Sequence, residues 1–231
     1  MRRERAMGCS KRRSGSIGLG SIGLKSTGSF LAVILCLTGL PGVAQAQDGV
    51  PPYDAPSFLT PFGEDGFGVF LDFVRDVNDV SGMGTYRMSG SVIDWGLRGG
   101  VIDVDGELGL FGGVDIKNEF VRVTESFPLA VAWVTGGGIT WVFDADVGLL
   151  RIPFGFSAGR AIETESGDLT ITPYIYPRVA LDIPLSTPGG DTEVHFDVDI
   201  GADFQFAPRW FLRFGATVGH SGAIGFGIAF K

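Results

Sequence analysis

The two histidines, His195 and His220, are the first candidates for a general base, because histidine titrates closest to neutral pH. Ser221 follows His220 directly. Neighbouring residues of a strand point to opposite faces, so a serine nucleophile and this base would not meet there. We expect His220 and Ser221 to lie in a turn, and we predict no catalytic residue. A lipid-modifying enzyme is kept as a lesser alternative.

Aspartates are the candidate metal ligands. Asp197 and Asp199 are about 7 Å apart along an extended chain, whereas Asp203 is about 20 Å from Asp197, so one ion would not bind all three. The stretch 103–106 reads DVDG and begins like a calcium loop, but the third ligand and the distal glutamate are missing. Asp-Gly instead predicts a tight turn. The sequence predicts no metal site and no cofactor.

The segment Val194–Phe206 shows the pattern that organises the chain. It reads VHFDVDIGADFQF, with an apolar residue at every second position and polar residues or glycine between. Alternation with a period of two is typical of a β-strand with two different faces, and helical spacing does not compete with it. The sequence therefore predicts an all-β antiparallel fold. Comparable segments are 67–74, 93–101, 108–116, 131–141, 150–158, 171–183, 210–218 and 223–230.

The length of the strands separates a soluble barrel from a membrane barrel. Thirteen residues span about 43 Å, or about 33 Å along the barrel axis at a tilt of about 40°, which crosses the hydrocarbon core of a bilayer. Strands of soluble proteins have about five or six residues. We therefore predict an up-and-down transmembrane β-barrel with apolar side chains facing lipid. A soluble ligand-binding barrel, which would carry its apolar face inside, is the less favoured alternative.

The first 46 residues have the three regions of a secretory signal peptide. Residues 1–29 are basic, Phe30–Leu40 is apolar, and Ala44-Gln45-Ala46 supplies a cleavage site before Gln47. The apolar run is too short for a membrane helix, which needs about 20 residues. We expect a cleaved leader over 1–46, an extended, proline-rich N-terminal lead over 47–65, and a barrel over 66–231.

Cleavage would make the chain strongly acidic. It removes 7 of the 18 Lys and Arg residues and 1 of the 26 Asp and Glu residues, which leaves 11 basic and 25 acidic residues and a net charge of −14. Binding to nucleic acid needs a basic surface, so nucleic acid is excluded as the expected partner. Both cysteines lie in the leader, so the mature chain has no disulfide.

Aromatic residues sit where a membrane barrel carries its two girdles. Trp133 and Trp141 share one strand face and are roughly 20 Å apart along the axis, and Trp210 begins a later strand. The chain ends GFGIAFK, with alternating apolar residues up to Phe230. Together with the leader, these features resemble the small outer-membrane β-barrels of Gram-negative bacteria, the OmpA-type transmembrane domain and the OmpX-like barrels. The resemblance covers 66–231 and rests on pattern. It implies a monomer in the outer membrane, with membrane lipids and the barrel-assembly machinery as partners.

Matching the apolar faces of 194–206 and 210–218 sets a register. It predicts Phe206 opposite Trp210, a loop over 207–209, and Asp203 opposite Arg213 on the inner face. On the other flank, one allowed register pairs Arg178 with Asp199 and Asp182 with His195, although the loop 186–192 can absorb a shift of two residues. With Arg98 and Arg151 also predicted to face inward, we expect a lumen filled by ion pairs. The predicted network is Asp203, Arg213, Asp199, Arg178, Asp182, His195 and Asp197.

The number of strands is ambiguous. Nine segments alternate, whereas bacterial single-chain barrels have an even number of strands. Because 67–74 is apolar on both faces, it is not a regular wall strand in the preferred count, and we predict eight strands. Ten is the alternative, with 117–126 as the tenth. The predicted function is a structural or interaction role in the outer membrane, and the alternative is a narrow channel for small solutes.

Overall fold

The computed structural model describes residues 50–74, 80–185 and 191–231 of the protein. The predicted leader and its cleavage site at Ala46 and Gln47 lie outside these ranges. No helix in the described part of the chain is long and apolar enough to cross a membrane. The strands are β1 (Gly66–Val74), β2 (Val80–Met88), β3 (Asp94–Val104), β4 (Glu107–Val121), β5 (Ala130–Val142), β6 (Val147–Gly159), β7 (Ile162–Glu163), β8 (Thr170–Pro184), β9 (Glu193–Ala207), β10 (Trp210–Gly219) and β11 (Ala223–Phe230).

The described strands form one closed antiparallel barrel. Each wall strand pairs with its neighbour in the chain, β6 pairs with β8, and β1 pairs with β11 to close the ring. The two-residue strand β7 pairs only with β8 and lies outside the ring. The wall therefore has ten strands. The prediction of an all-β barrel is confirmed, the preferred count of eight is wrong, and the alternative count of ten is correct.

Two features of the sequence caused the miscount. Strand β2 reads VSGMGTYRM, and glycine occupies two of its outward positions, Gly82 and Gly84, so the apolar alternation is interrupted. Strand β1 is a regular wall strand whose inward residue Phe70 is buried, which is why it looked apolar on both faces. Residues 117–121 extend β4 and do not form a separate tenth strand.

The two faces of the wall have opposite chemistry. Outward side chains are apolar and exposed, as at Val194, which is 71% exposed, and Val69, which is 65% exposed. Inward side chains are buried and many are charged, including Arg151, Arg178 and Asp197. This is the reverse of a soluble β-barrel, whose apolar residues face inward.

The N-terminal segment fills the barrel. An eight-stranded barrel is just filled by its own side chains, so ten strands leave additional space. Here Tyr53–Pro61 are all buried inside the wall. We call residues 51–64 the plug segment. It continues directly into β1 at the proximal mouth, the end of the barrel where Phe67 of β1 pairs with Phe230 of β11. The opposite end, with the turn 220–222, is the distal mouth.

Glycines of the wall make room for two aromatic rings of the plug. A Cβ atom at Gly138 would lie 2.7 Å from the ring of Tyr53, and one at Gly113 would overlap the same ring. On the other side, a Cβ atom at Gly225 would lie 2.7 Å from the ring of Phe58. The wall is therefore shaped to the plug, because larger residues at these positions would collide with it.

The register between β9 and β10 differs from the prediction at one end only. Phe204 lies opposite Leu212, and Asp203 lies opposite Arg213. At the turn, however, Trp210 pairs with Ala207 and the register shifts before Phe211, so the predicted partner Phe206 is not opposite Trp210. A β-bulge accounts for this, because one extra residue on β9 permits a shorter turn without changing the register farther along.

Between β8 and β9 the predicted register is wrong by two residues. Arg178 lies opposite Asp197 and Asp182 lies opposite Glu193, whereas the prediction set Asp199 and His195 in those places. Since the shift is even, every inward residue remains inward.

The cradle around Tyr53 gives a first prediction. Gly113→Ala should lower the free energy of unfolding by about 1–3 kcal/mol, because the new methyl group overlaps a fixed ring. Its neighbour Gly112 faces outward, and a Cβ atom there meets nothing nearer than 3.8 Å. Gly112→Ala should change stability by less than about 0.5 kcal/mol. Equilibrium urea unfolding followed by tryptophan fluorescence measures both. Equal losses from the two substitutions would contradict the proposed packing.

Candidate functional site: the plugged, ion-paired lumen

The lumen holds an unusual number of buried charges. Charged side chains are rarely buried unless they are paired, because removal of an ion from water is costly. Among the described residues, six cationic and seven aspartate side chains are buried. They are Arg87, Arg98, Lys117, Arg151, Arg178 and Arg213, with Asp54, Asp72, Asp115, Asp182, Asp197, Asp199 and Asp203.

Asp54 of the plug sits between two wall arginines. Its Oδ1 lies 3.3 Å from Nε of Arg151, and its Oδ2 accepts a hydrogen bond from Nη1 of Arg178. The side chains of both arginines are at most 1% exposed. A single plug carboxylate thus lies against two buried guanidinium groups, which ties the plug to β6 and β8.

The same two arginines also reach acids of β9. Arg151 pairs with Asp197, and Nη2 of Arg178 donates to Oδ1 of Asp199 at 3.3 Å. Asp199 also accepts hydrogen bonds from Ser57 of the plug. At the distal mouth, the backbone N–H of Ser221 donates to Oδ1 of Asp197 at 2.9 Å. Plug, wall and distal turn therefore share one polar network.

Arg213 organises a second network closer to the proximal mouth. Its Nε donates to Oδ1 of Asp203 at 2.6 Å, and its Nη2 donates to Oε1 of Glu64 at 2.8 Å. Its Nη1 donates to the backbone carbonyl of Phe58 at 3.1 Å. One guanidinium group thus joins two adjacent strands to two points of the plug.

Arg87, Arg98 and Lys117 complete this second network. Arg87 and Arg98 donate to different oxygens of Asp115, at 2.8 and 2.9 Å. Nζ of Lys117 donates to the backbone carbonyls of Thr60, at 2.9 Å, and Phe62. The cations of the wall therefore bind backbone carbonyls of the plug as well as carboxylates of the plug.

The two histidines meet at the distal mouth. The rings of His195 and His220 are stacked with centroids 3.6 Å apart. Nε2 of His195 lies 3.1 Å from Glu193 and 3.7 Å from Asp182. Partial burial and the neighbouring His195 lower the pKa of His220.

Ser221, considered above as a nucleophile, contacts an arginine of the wall. Its hydroxyl accepts a hydrogen bond from Nη1 of Arg151 at 2.9 Å. In the part of the chain that the structure covers, no group of three or more His, Cys, Asp or Glu side chains is arranged to hold a metal ion.

The predicted girdle tryptophans lie on the outer face of the barrel. Trp133 and Trp141 are half-buried among outward residues of β5, and Trp210 is 47% exposed. At the proximal mouth, Trp210 belongs to a row of ring contacts that crosses five strands, with centroid distances from 4.7 to 6.0 Å. The row is Trp210, Phe230, Phe67, Tyr86 and Trp95.

Sequence reasoning missed the plug contacts. Asp54 and Glu64 precede the first alternating segment, so periodicity carries no information about where they lie. Asp115 and Lys117 do alternate with apolar residues in β4 and could have been assigned inward from that pattern. Gly136 and Gly138 of β5 lie beside Tyr53.

No protein-family model and no curated protein matches the sequence. Among solved structures, a de novo designed transmembrane β-barrel is similar over 73% of this chain and 97% of its own, at 15% sequence identity and a TM-score of 0.33. The fold itself defines the class, a closed antiparallel β-barrel with an apolar exterior and a plugged, ion-paired lumen.

The pair of Asp203 and Arg213 gives a second prediction. Asp203→Leu should lower the free energy of unfolding by about 3–5 kcal/mol, because it removes one partner of a buried ion pair. The double variant Asp203→Leu/Arg213→Leu should cost less than the sum of the two single variants by about 0.5–3 kcal/mol. Urea unfolding of all three measures the coupling. Additive losses would contradict a coupling between Asp203 and Arg213. The control is Asp168→Leu, which removes an acid from an exposed loop instead of from the lumen.

Proposed function

We propose that this protein is an outer-membrane β-barrel with a structural or interaction role, whose lumen is closed by its own plug segment. The observation that carries the proposal is the reversed wall, with apolar side chains outside and ion pairs inside. Lipid is the solvent that stabilises such an exterior, and a closed barrel satisfies every backbone hydrogen bond within it. The proposed partners are membrane lipids and, during insertion, the barrel-assembly machinery.

Three further features support this location. The aromatic row at the proximal mouth matches the interfacial girdles of membrane barrels, where rings sit at the level of the lipid headgroups. The predicted leader over 1–46 would export the chain. The wall strands β4, β8 and β9 have 15 residues each, which is long enough to cross the hydrocarbon core when tilted.

A structural role fits the filled lumen better than transport does. Phe58, Tyr176, Arg178 and Asp197 are at most 1% exposed, so packed side chains fill the centre of the barrel. Both networks need the plug, because Asp54 and Glu64 each contact two wall arginines. The proposal assigns no catalysis to the protein.

Fractionation tests the location. Expressed with its leader in a Gram-negative host, the protein should be recovered with the outer membrane and should need detergent for extraction. In detergent gels the unheated protein should migrate differently from the boiled protein, as folded barrels do. Recovery from the periplasm without detergent would refute the membrane assignment.

The second candidate function is a narrow channel, and the ten-stranded wall favours it because removal of the plug would leave a polar passage. In planar lipid bilayers the full chain should give no stable unitary currents. A variant that lacks residues 51–62 should give them if it closes as a barrel, which circular dichroism and heat-modifiable migration can establish. Stable currents from the full chain would replace the structural role with transport.

A further inference from the structure

Four cations of the proximal half of the lumen share three close carboxylates. Four cationic side chains face it from β2, β3, β4 and β10, namely Arg87, Arg98, Lys117 and Arg213. Among the described residues, only three carboxylates lie within 4 Å of them: Asp115 and Asp203 from the wall and Glu64 from the plug. The wall supplies two of these close carboxylates, and the plug supplies the third.

Lys117 has no carboxylate among its close contacts in the described part of the chain. Its side chain is buried, and both oxygens that it contacts are backbone carbonyls of the plug. Within the described ranges no carboxylate lies within salt-bridge distance of it. A buried ammonium group with only neutral acceptors favours the approach of an anion.

Glu64 occupies this site incompletely. Its Oε1 accepts from Arg213 at 2.8 Å, but its Oε2 lies 3.9 Å from Nε of Arg87, which is too long for a hydrogen bond. Nε of Arg87 is buried and has no hydrogen-bond acceptor. Burial alone would raise the pKa of Glu64, but Arg213, Lys117 and Arg87 outweigh burial and hold the pKa well below its usual range.

Space remains next to the carboxylate. A cavity of about 20 Å³ opens beside Glu64, and its lining includes Thr85, Arg87, Arg213, Lys231 and the acid Asp65. This volume admits one water-sized group. Arg87 therefore has an unsatisfied N–H 3.9 Å from the carboxylate of Glu64, and the same residue lines the adjoining cavity.

We propose that Arg87 and Arg213, assisted by the charge of Lys117, form an oxyanion-binding site at the proximal mouth. Glu64 occupies this site as a tethered ligand. When Glu64 is absent, the site takes a carboxylate or phosphate group from outside. This site is separate from the ion pairs of Asp54 with Arg151 and Arg178 in the other network. Loss of Glu64 therefore removes one plug contact and leaves the ion pairs of Asp54 in place.

Rescue by added anion tests this site in the full chain. Glu64→Ala, purified in a maltoside detergent free of phosphate, should lose its folded form at a lower temperature than the original protein. Inorganic phosphate should raise this temperature by a few degrees relative to sodium chloride at equal ionic strength, because a ligand of the folded state stabilises it by mass action. Circular dichroism and heat-modifiable migration report the transition.

The neighbouring acid provides a matched control. Asp65 accepts a hydrogen bond from the backbone N–H of Ser89 and, among the described residues, has no cation within salt-bridge distance. Asp65→Ala should show no phosphate-specific gain, and Glu64→Ala/Arg87→Gln should lose most of the gain seen in Glu64→Ala. An equal gain in Asp65→Ala would overturn the proposal.

Two sources of the anion are distinguished by the probe. A site open to free anions should respond to inorganic phosphate, whereas a site supplied by lipid headgroups should respond only to short-chain phosphatidic acid. A response to either supports the site, and a response to neither refutes it.

If Glu64→Ala does not fold, Glu64→Ser removes the carboxylate, leaves its space free and keeps a small polar side chain. The ³¹P resonance of inorganic phosphate should then broaden in the presence of Glu64→Ser but not of Asp65→Ser. Equal spectra would overturn the proposal. Because these measurements are made in detergent on the folded chain, their failure is distinct from a failure of the membrane assignment.

Discussion

A ten-stranded barrel encloses more space than its own inward side chains fill, and the structure depends on how that space is occupied. The protein uses a segment of its own chain. Tyr53 and Phe58 fit against wall glycines, and the acids of the plug meet wall arginines. The wall and the plug are thus complementary in shape and in charge, and neither makes a satisfied interior without the other.

Buried charges restrict how the plug can be placed in the barrel. A buried arginine without its carboxylate costs several kcal/mol, because desolvation is no longer offset. Arg151, Arg178 and Arg213 each contact one acid of the plug and at least one acid of the wall. The networks therefore couple the plug to several strands at once, which favours one arrangement of the segment over the many that an apolar filler would allow.

Alternation of side chains carried most of the information about the wall. It predicts an all-β chain, an apolar exterior and a polar interior, because a strand has only two faces and the two environments differ sharply. It also places Asp203 and Arg213 on the same face of adjacent strands. Periodicity does not reach the plug, whose residues follow no strand pattern, and this is why Asp54 and Glu64 were absent from the predicted network.

The predicted number of strands was wrong for a related reason. The outward glycines of β2 interrupt its apolar alternation, so the pattern does not show this strand. In β1, Phe70 is an apolar residue on the inner face, and its position is explained only by Phe58 of the plug, which stacks on it at 4.5 Å.

The position of Phe58 also bears on how the ring closes. The pairing of β1 with β11 joins the strands that are farthest apart in the chain, so its formation carries the largest loop-closure entropy in the barrel. Phe58 lies across this seam, stacked on Phe70 of β1 and close to Gly225 of β11. A residue that precedes the wall in sequence therefore links its first and last strands, and through it a contact of short sequence separation supports the most distant pairing in the fold.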